Sequence, residues 1–422
     1  MRYKNYILLV LAFIFTACSN TSTPKPMQSY EKAFEAEDRL IILALRAEQL
    51  KDNESAYKVF DILYEKSNKK EYLYRSLQNS LIAKKFKITL DKIQNHQEDL
   101  KLMRIKVITL VNLLRLEEAE QLALDLVKKS KDINDYLLVA DVFVSQKKFG
   151  VAVKYLESAY IKDYNEKILD RISIILYINL NRKKEAIAQL ETHSRIHSCS
   201  LVICNRLVSL YSDRNDIDGL LSAYLRLYKI NSAEEIATKI VQIYSYKKEY
   251  LKLIDFLKET KINDEILLQL YVKIKNYDKA STLAFILYND TGDIEYLGQS
   301  AIYEYESKKD VLDTNTLSKI ASKFEKVVAQ NSKTLYLNYY GYLLIDHEID
   351  VKKGLKYINK ALEIAPNSSF YLDSLAWGYF KLNNCKKAKS IMNRVILLDG
   401  GRDDEILSHI ESIDECLKNK GK

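Results

Sequence analysis

The stretch YLDSLAWGYFKLNNCKKAKSIMNRVI, residues 371–396, decides the fold of this chain. Its apolar and small residues recur at helical spacing in two blocks: Leu375, Ala376 and Tyr379, then Ala388, Met392 and Val395. Side chains three and four positions apart lie on one face of a helix. Because the short polar turn KLNNCKK separates the two blocks, the stretch predicts two amphipathic helices packed as a hairpin.

The same pattern recurs along most of the chain. Near the start, residues 39–63 supply Leu40, Leu43, Ala44, Ala47, Ala56, Phe60 and Leu63, and residues 134–160 supply Tyr136, Val139, Ala140, Phe143, Ala152, Leu156 and Ala159. The small residue of the second helix, or its substitute, falls at Ala56, Leu90, Ala119, Ala152, Ala186, Leu220, Leu253, Ala280, Ala321, Gly354 and Ala388. Most of these intervals are 33 or 34 residues. A period of this length indicates an array of helical hairpins.

The hairpin pattern resembles the tetratricopeptide repeat (TPR), which has a small residue in each helix and an aromatic residue late in the first. This resemblance implies an all-α, TPR-like α-solenoid of about ten or eleven helical hairpins over residues 30–400. It also implies a concave face lined by the first helices, where extended peptides or partner helices bind. Only ten Gly and three Pro occur in 422 residues, which agrees with an all-helical chain.

Two features subdivide the array. An interval of 41 residues between Ala280 and Ala321 predicts a lengthened turn at 306–318, and we place a soft boundary near residue 310, between segments 30–310 and 311–400. Residues 401–422 are predicted to form a capping helix and tail that cover the exposed end of the last hairpin. Gly400 and Gly401 would end the preceding helix, Asp403 or Asp404 would cap the next one, and its apolar stripe would comprise Ile406, Ile410, Ile413 and Leu417.

The N-terminus is expected to be a targeting segment. Ten apolar or aromatic residues, Tyr6–Phe15, follow two basic residues, and this run is too short to span a membrane. Phe15-Thr16-Ala17-Cys18 resembles the lipobox of bacterial lipoproteins, which implies removal of residues 1–17 and acylation (palmitate) of Cys18. Residues 18–29 read as a flexible tether, and Ser19 favours the outer membrane over the inner one. The alternative is an ordinary secretory signal with a chance cysteine.

Composition argues against several function classes. The net charge of +8 is spread thinly, without a dense Lys/Arg block, so we predict no nucleic-acid binding. No glycine-rich phosphate loop occurs, and we expect neither an enzyme nor a cofactor. The alternative of a different class is a metal- or ligand-binding protein or enzyme centred on His193, His197 and Cys199, since residues at i and i+4 of a helix can share a metal.

Four cysteines other than Cys18 remain, and an exported chain meets conditions in which disulfides form. We favour the pairs Cys385–Cys416 and Cys199–Cys204, because the first would join the last hairpin to its cap and the second is local. Free buried thiols are the competing interpretation.

The expected function is protein–protein scaffolding in the periplasm, with the lipid on Cys18 holding the chain at the outer membrane. Similar lipoproteins assist outer-membrane protein assembly, regulate peptidoglycan enzymes, or brace trans-envelope machines (flagellar motors, pili, secretion systems), and we favour the last two roles. The candidate partner-binding residues, in the first helices of the last two hairpins, are Asn338, Tyr342, Asp373 and Trp377. Trp377 is the only tryptophan, and its ring either binds a partner or packs between hairpins.

Overall fold

A computed structural model describes residues 32–94, 96, 99–399 and 403–420. The predicted signal segment, Cys18 and the tether lie outside these residues, as do Gly400 and Gly401. Every regular element in the described ranges is helical. None of these helices is both long and apolar enough to cross a bilayer. The chain divides into two compact units, the first ending at Ala223 and the second beginning at Tyr224.

The first unit holds eleven helices and the start of a twelfth. They are α1 Glu37–Gln49, α2 Asn53–Ser67, α3 Lys70–Ile82, α4 Phe86–Gln94, α5 Leu100–Asn112, α6 Leu116–Ser130, α7 Ile133–Ser145, α8 Phe149–Asp163, α9 Glu166–Ile174, α10 Lys183–His197, α11 Leu201–Asp213 and α12 Ile217–Ile230. A single π-helical turn, Ile175–Asn179, extends α9.

The second unit continues the same alternation of helices. Its members are α13 Glu234–Tyr246, α14 Tyr250–Thr260, α15 Asp264–Lys273, α16 Tyr277–Thr291, α17 Ile294–Lys308, α18 Thr314–Gln330, α19 Thr334–Asp346, α20 Val351–Ile364, α21 Ser369–Lys381, α22 Cys385–Asp399 and α23 Asp404–Lys420. Helices α1–α22 pair in order into eleven hairpins, and α23 follows the last. The predicted all-α solenoid of hairpins with a C-terminal capping helix is confirmed.

The predicted register holds in most hairpins but is wrong in three places. The position in the second helix that faces the first helix was assigned to Leu90 and Ala321. In the structure, the residues immediately before them, Thr89 and Ile320, occupy it and are fully buried. Thr89 fits because its hydroxyl forms a 2.8 Å hydrogen bond with Ser80, so a polar residue fills a position expected to be apolar. Leu43 was expected in the core, yet it is 54% exposed.

The connection near residue 310 is shorter than the predicted turn at 306–318. Helix α17 continues to Lys308, a 3-10 turn covers Lys309–Val311, and α18 begins at Thr314. The extra residues are shared between α17, which has 15 residues, this connection, and α18, which has 17. The soft boundary suggested near residue 310 therefore lies inside the second unit.

The tight turn inside a hairpin is formed without glycine. A residue with positive φ between the two helices occurs in ten hairpins: Lys51, Lys84, Leu114, Lys147, Asn181, Asn215, Lys248, Lys275, Glu348 and Asn383. Left-handed backbone is unfavourable for residues with a Cβ, and glycine is the usual solution. Ten hairpins of this glycine-poor chain accept that strain, and the α17–α18 hairpin turns through a 3-10 segment, Lys309–Val311, instead.

Small residues let the helices of a hairpin approach closely. Ala56, Ala119, Ala152, Ala186, Ala280 and Ala388 are all fully buried where their hairpin helices cross. Helices α19 and α20 also approach closely, since a Cβ added to Gly354 would lie 2.6 Å from the carbonyl oxygen of Gly341. These contacts align the first helices of each unit along one face, and the candidate site lies on that face.

Candidate functional site: a tyrosine-lined pocket on the first helices of the second unit

The structure brings three of the four candidate residues into one pocket. Asn338 and Tyr342 lie one helical turn apart on α19, and Asp373 lies on α21. Each is on the first helix of its hairpin, where side chains not needed for pairing with the second helix face the neighbouring first helices. The fourth candidate, Trp377, is one turn beyond Asp373 and outside the pocket lining.

The pocket has a volume of about 340 Å³ and is bounded by the first helices α17, α19 and α21 and by the capping helix α23. It is lined by Tyr305, Glu306, Lys309, Leu335, Asn338, Tyr339, Tyr342, Ser368, Phe370, Tyr371, Asp373, Ser374 and Glu405. Five of these are aromatic and three are acidic. Such a mixture of aromatic surface with a few polar groups is typical of binding pockets.

The capping helix α23 forms one wall of this pocket. The Tyr342 hydroxyl donates a 2.5 Å hydrogen bond to Oε1 of Glu405, in the first turn of α23. One turn later, Nδ1 of His409 lies 3.0 Å from the Asp373 carboxylate. The predicted cap begins as expected, because the Asp403 side chain accepts from the backbone N–H of Glu405 at 3.0 Å. The helix therefore both covers the last hairpin and supplies polar groups to the site.

Trp377 packs between helices rather than lining the pocket. Its indole Nε1 donates a 2.8 Å hydrogen bond to Asp346 on α19. Its ring stacks on His409, with centroids 4.0 Å apart, and on Phe380, with centroids 4.6 Å apart. The Trp377 indole therefore packs between α19, α21 and α23, as the packing interpretation of this residue expected.

The pocket is electrostatically negative. Burial, followed by the charges of Asp346 and Glu405, raises the pKa of Tyr305 well above its ordinary value. Burial and the Glu306 carboxylate do the same to the pKa of Tyr339, whose hydroxyl donates to Glu306 at 3.3 Å. The phenols therefore stay protonated and serve the carboxylates as neutral hydrogen-bond donors.

The rim of the pocket is apolar and exposed. Leu335 on α19 is 47% exposed and Phe370 on α21 is 59% exposed, although both are large hydrophobic residues. In the wall beneath them, the side-chain oxygen of Asn338 is buried without any hydrogen-bond donor. A buried acceptor without a partner lowers the stability of the folded protein. A ligand that donated a hydrogen bond to this oxygen would remove that cost.

Most of the aromatic lining was not among the predicted site residues, namely Tyr305, Tyr339, Phe370 and Tyr371. A usable signal exists in the recurring Tyr-Leu-x at the start of first helices: Tyr296-Leu297-Gly298, Tyr336-Leu337-Asn338 and Tyr371-Leu372-Asp373. The tyrosine of this triplet reaches back to the previous first helix, since Tyr336 donates to Glu295 at 2.8 Å and Tyr371 to Thr334 at 3.0 Å. In the second and third triplets, the third residue lines the pocket.

The first-helix face of the first unit is organised differently, by ion pairs between successive first helices. Arg75 lies 2.9 Å from Glu48, Arg104 lies 2.7 Å from Asp135, and Arg206 lies 2.6 Å from Asp170. The arginines and carboxylates satisfy each other, so these charges have protein partners already. The aromatic and acidic pocket of the second unit is thus the more distinctive surface.

At the alternative centre of His193, His197 and Cys199, the cysteine is not the free thiolate that was expected as the third ligand. Cys199 is disulfide-bonded to Cys204, and a disulfide sulfur does not bind metal as a thiolate does. Nδ1 of the buried His193 lies 2.7 Å from the Tyr160 hydroxyl, and the two histidine rings pack 4.8 Å apart. Within the described residues, no group of three or more His, Cys, Asp or Glu side chains could hold a metal ion.

The other favoured cysteine pair, Cys385 and Cys416, is also disulfide-bonded, and this bond joins α22 to α23.

Comparisons with known proteins give likenesses of shape alone. No family model matches the sequence, and no curated protein matches it. Similar solved structures include the APC/C hetero-tetramer Cut9–Hcn1 (TM-score 0.36, 10% identity, 90% of this chain and 97% of that one). Others are Naa15/Naa10 bound to HypK-THB (0.30, 12%, 88% and 65%) and a tetratricopeptide repeat protein from Parabacteroides merdae (0.26, 15%, 58% and 98%). With TM-scores this low, the description of the fold rests on the chain's own helices.

Proposed function

We propose that this protein is a scaffold that binds a partner protein on the first-helix face of its second unit. The observation that supports this most directly is the pocket itself, an opening of about 340 Å³ with an exposed apolar rim at Leu335 and Phe370. Interfaces are typically built around aromatic anchors with polar groups beside them. An extended segment of a partner could lie along this face with one side chain in the pocket.

We further propose that the scaffold works at the bacterial outer membrane, anchored by acylated Cys18, with its body in the periplasm. The proposal rests on the lipobox-like Phe15–Cys18 and on Ser19. The class of partner that suits a long, anchored array is a component of a trans-envelope machine (flagellar motor, pilus or secretion system) or a peptidoglycan enzyme.

Site-specific photo-crosslinking tests the binding face. A photo-reactive residue in place of Leu335 should give covalent adducts with a partner in intact cells, because this rim position is exposed beside the pocket. The matched control is Leu397, which is 86% exposed on α22 of the same unit but outside the pocket. Equal adducts from both positions, or adducts from Leu397 alone, would contradict the assignment of the face.

Acylation is tested separately. Replacing Cys18 by alanine should abolish incorporation of labelled palmitate and leave the precursor uncleaved. The matched control is Cys204→Ser, which removes a cysteine of the body and should leave labelling unchanged. A Cys18→Ala protein that still carried label in the membrane fraction would show that the anchor is elsewhere.

A further inference from the structure

Resting on the proposed function, a second question is which side chain of a partner the pocket accepts. Three carboxylates reach it from three different helices: Glu306 on α17, Asp373 on α21 and Glu405 on α23. The lining also contains one positively charged residue, Lys309, whose ammonium lies 3.4 Å from the Glu306 carboxylate and whose side chain is more than half exposed. The pocket should therefore attract a positively charged side chain of a partner and repel a carboxylate.

Two of these carboxylates accept hydrogen bonds from neutral donors inside the pocket. Tyr339 donates to Glu306 and Tyr342 donates to Glu405, and both donors are neutral phenols. A neutral donor satisfies one lone pair of a carboxylate without cancelling its charge. Asp373 faces His409, the remaining titratable group that contacts this wall from α23. Each oxygen of a carboxylate can accept more than one hydrogen bond, so acceptor capacity remains.

The shape and the aromatic lining select among cations. Rings of Tyr305, Tyr339, Phe370 and Tyr371 line the walls between the carboxylates. A guanidinium stacks on aromatic faces and presents five N–H donors in a plane, whereas an ammonium is a compact and strongly hydrated charge. Acceptors that lie on separate walls, together with the donor-free oxygen of Asn338, match a planar group with many donors better than a point charge.

We propose that the pocket is an arginine subsite: an extended partner segment inserts one arginine side chain between the tyrosine rings and the three carboxylates. Apolar residues on either side of that arginine would then contact Leu335 and Phe370 at the rim. The partner segment is thus predicted to carry an arginine flanked by hydrophobic residues and to lack acidic residues beside it.

Peptide titration tests this subsite on the folded full-length chain without its signal segment. The probe is Ac-Ala-Leu-Arg-Leu-Ala-amide, compared with peptides that carry citrulline, lysine or glutamate in place of arginine. Trp377, the only tryptophan, stacks on His409, which contacts the pocket wall, so its fluorescence can report binding. Calorimetry with the same peptides measures affinity independently of that tryptophan.

The arginine peptide should bind about tenfold or more tightly than the citrulline peptide, which has nearly the same shape but no charge. Glu306→Gln keeps an acceptor for Tyr339 while removing a charge, and it should weaken the arginine peptide roughly tenfold without changing the citrulline peptide. Glu363→Gln, at an exposed position of α20 outside the pocket, makes the same change in net charge and should alter neither affinity. Circular dichroism melting checks that both variants remain folded.

Several results would overturn the subsite. Citrulline binding as tightly as arginine would remove the role of charge, glutamate binding more tightly would reverse it, and lysine binding equally well would remove the preference for guanidinium. In each of these cases peptide binding on this face, and with it the proposed scaffold, would stand. If no peptide bound, the arginine subsite would be rejected, while crosslinking from Leu335 would still decide the proposed function separately.

Discussion

The close crossing of α19 and α20 gives a sharp test of the fold. A Cβ placed on Gly354 would lie 2.6 Å from the carbonyl oxygen of Gly341 and 2.7 Å from Cγ1 of Ile345. Ordinary contact begins at 3.4 Å, so Gly354→Ala requires the two helices to separate by about 0.8 Å (3.4 − 2.6). Because the nearest atom belongs to the backbone, no side-chain rotation can relieve this overlap.

Two opposing effects set the magnitude. Alanine is favoured over glycine in a helix interior by about 1 kcal/mol, whereas overpacking a close contact costs about 1–3 kcal/mol. The overlap with backbone places Gly354→Ala towards the upper part of that range, so we expect a net loss of about 1–2 kcal/mol. Repeats contact mainly their neighbours, so faster hydrogen exchange should be concentrated in α19–α22.

Gly150→Ala is the matched control. Gly150 lies in the first turn of α8, as Gly354 lies in the first turn of α20, but a Cβ there would meet nothing within 4 Å. Only the helix preference acts, so this change should stabilise the protein by about 0.5–1 kcal/mol. Urea unfolding followed by circular dichroism measures both variants. If the two substitutions shifted the midpoint in the same direction by similar amounts, the close crossing of α19 and α20 would not exist as described.

Three further predictions address other parts of the chain. Ala152→Trp should lower the thermal midpoint strongly, because the fully buried contact of α7 with α8 has no room for an indole. Overpacking of this kind costs about 1–3 kcal/mol or more, and unchanged melting by circular dichroism would contradict the prediction. Burial raises the pKa of Asp135, but the hydrogen bonds from Arg104 outweigh burial, so the pKa of Asp135 in the folded protein is lowered. The ion pair therefore stabilises the fold above the unfolded pKa of ~3.9, and this stabilisation is lost as the pH falls through the folded pKa. Arg104→Met should therefore move acid unfolding to higher pH, and an unchanged acid limb would count against the ion pair. Removing the Cys385–Cys416 bond with Cys416→Ser should speed hydrogen exchange in α21–α23 but not in α7 and α8, whereas uniform acceleration would show that α23 is no local cap.

The sequence was sufficient for the repeat because the packing of paired helices follows a fixed spacing. A small residue such as Ala152 or Ala388 lies where the two helices of most hairpins cross, so it recurs at a nearly constant spacing. The start of α23 at Asp403 was also predictable, since a side-chain acceptor before an apolar stripe satisfies free backbone N–H groups. These rules are local, so one sequence is enough to apply them.

Details that depend on local strain were not predictable in the same way. Glycine usually marks a turn, but Lys147 adopts a φ of 59° and turns its hairpin without glycine. The π-helical turn after Ile174 adds a residue to α9 without any Pro or Gly to announce it. At Thr89, a buried hydrogen bond to Ser80 replaces the expected apolar contact. In each case tertiary packing stabilises a choice that local preference disfavours.

The pocket depends on pairings between residues far apart in sequence. Tyr342 meets Glu405 across 63 positions, and Asp373 meets His409 across 36. Periodicity indicates which face of a first helix is free, but it does not indicate which distant helix will reach that face.

The capping helix therefore has two physical roles that cannot be separated by removing it. Ile406 and Ile413 are buried against the last hairpin, while Glu405 and His409, on the same helix, meet Tyr342 and Asp373. A helix that only covered an apolar end would need polar residues facing water on its other side. Here, the polar residues beside the apolar positions contact protein, so the helix that covers the last hairpin also completes the acidic pocket. It follows that a substitution such as Glu405→Gln, which leaves the apolar stripe intact, should weaken the arginine peptide while the capping interaction persists.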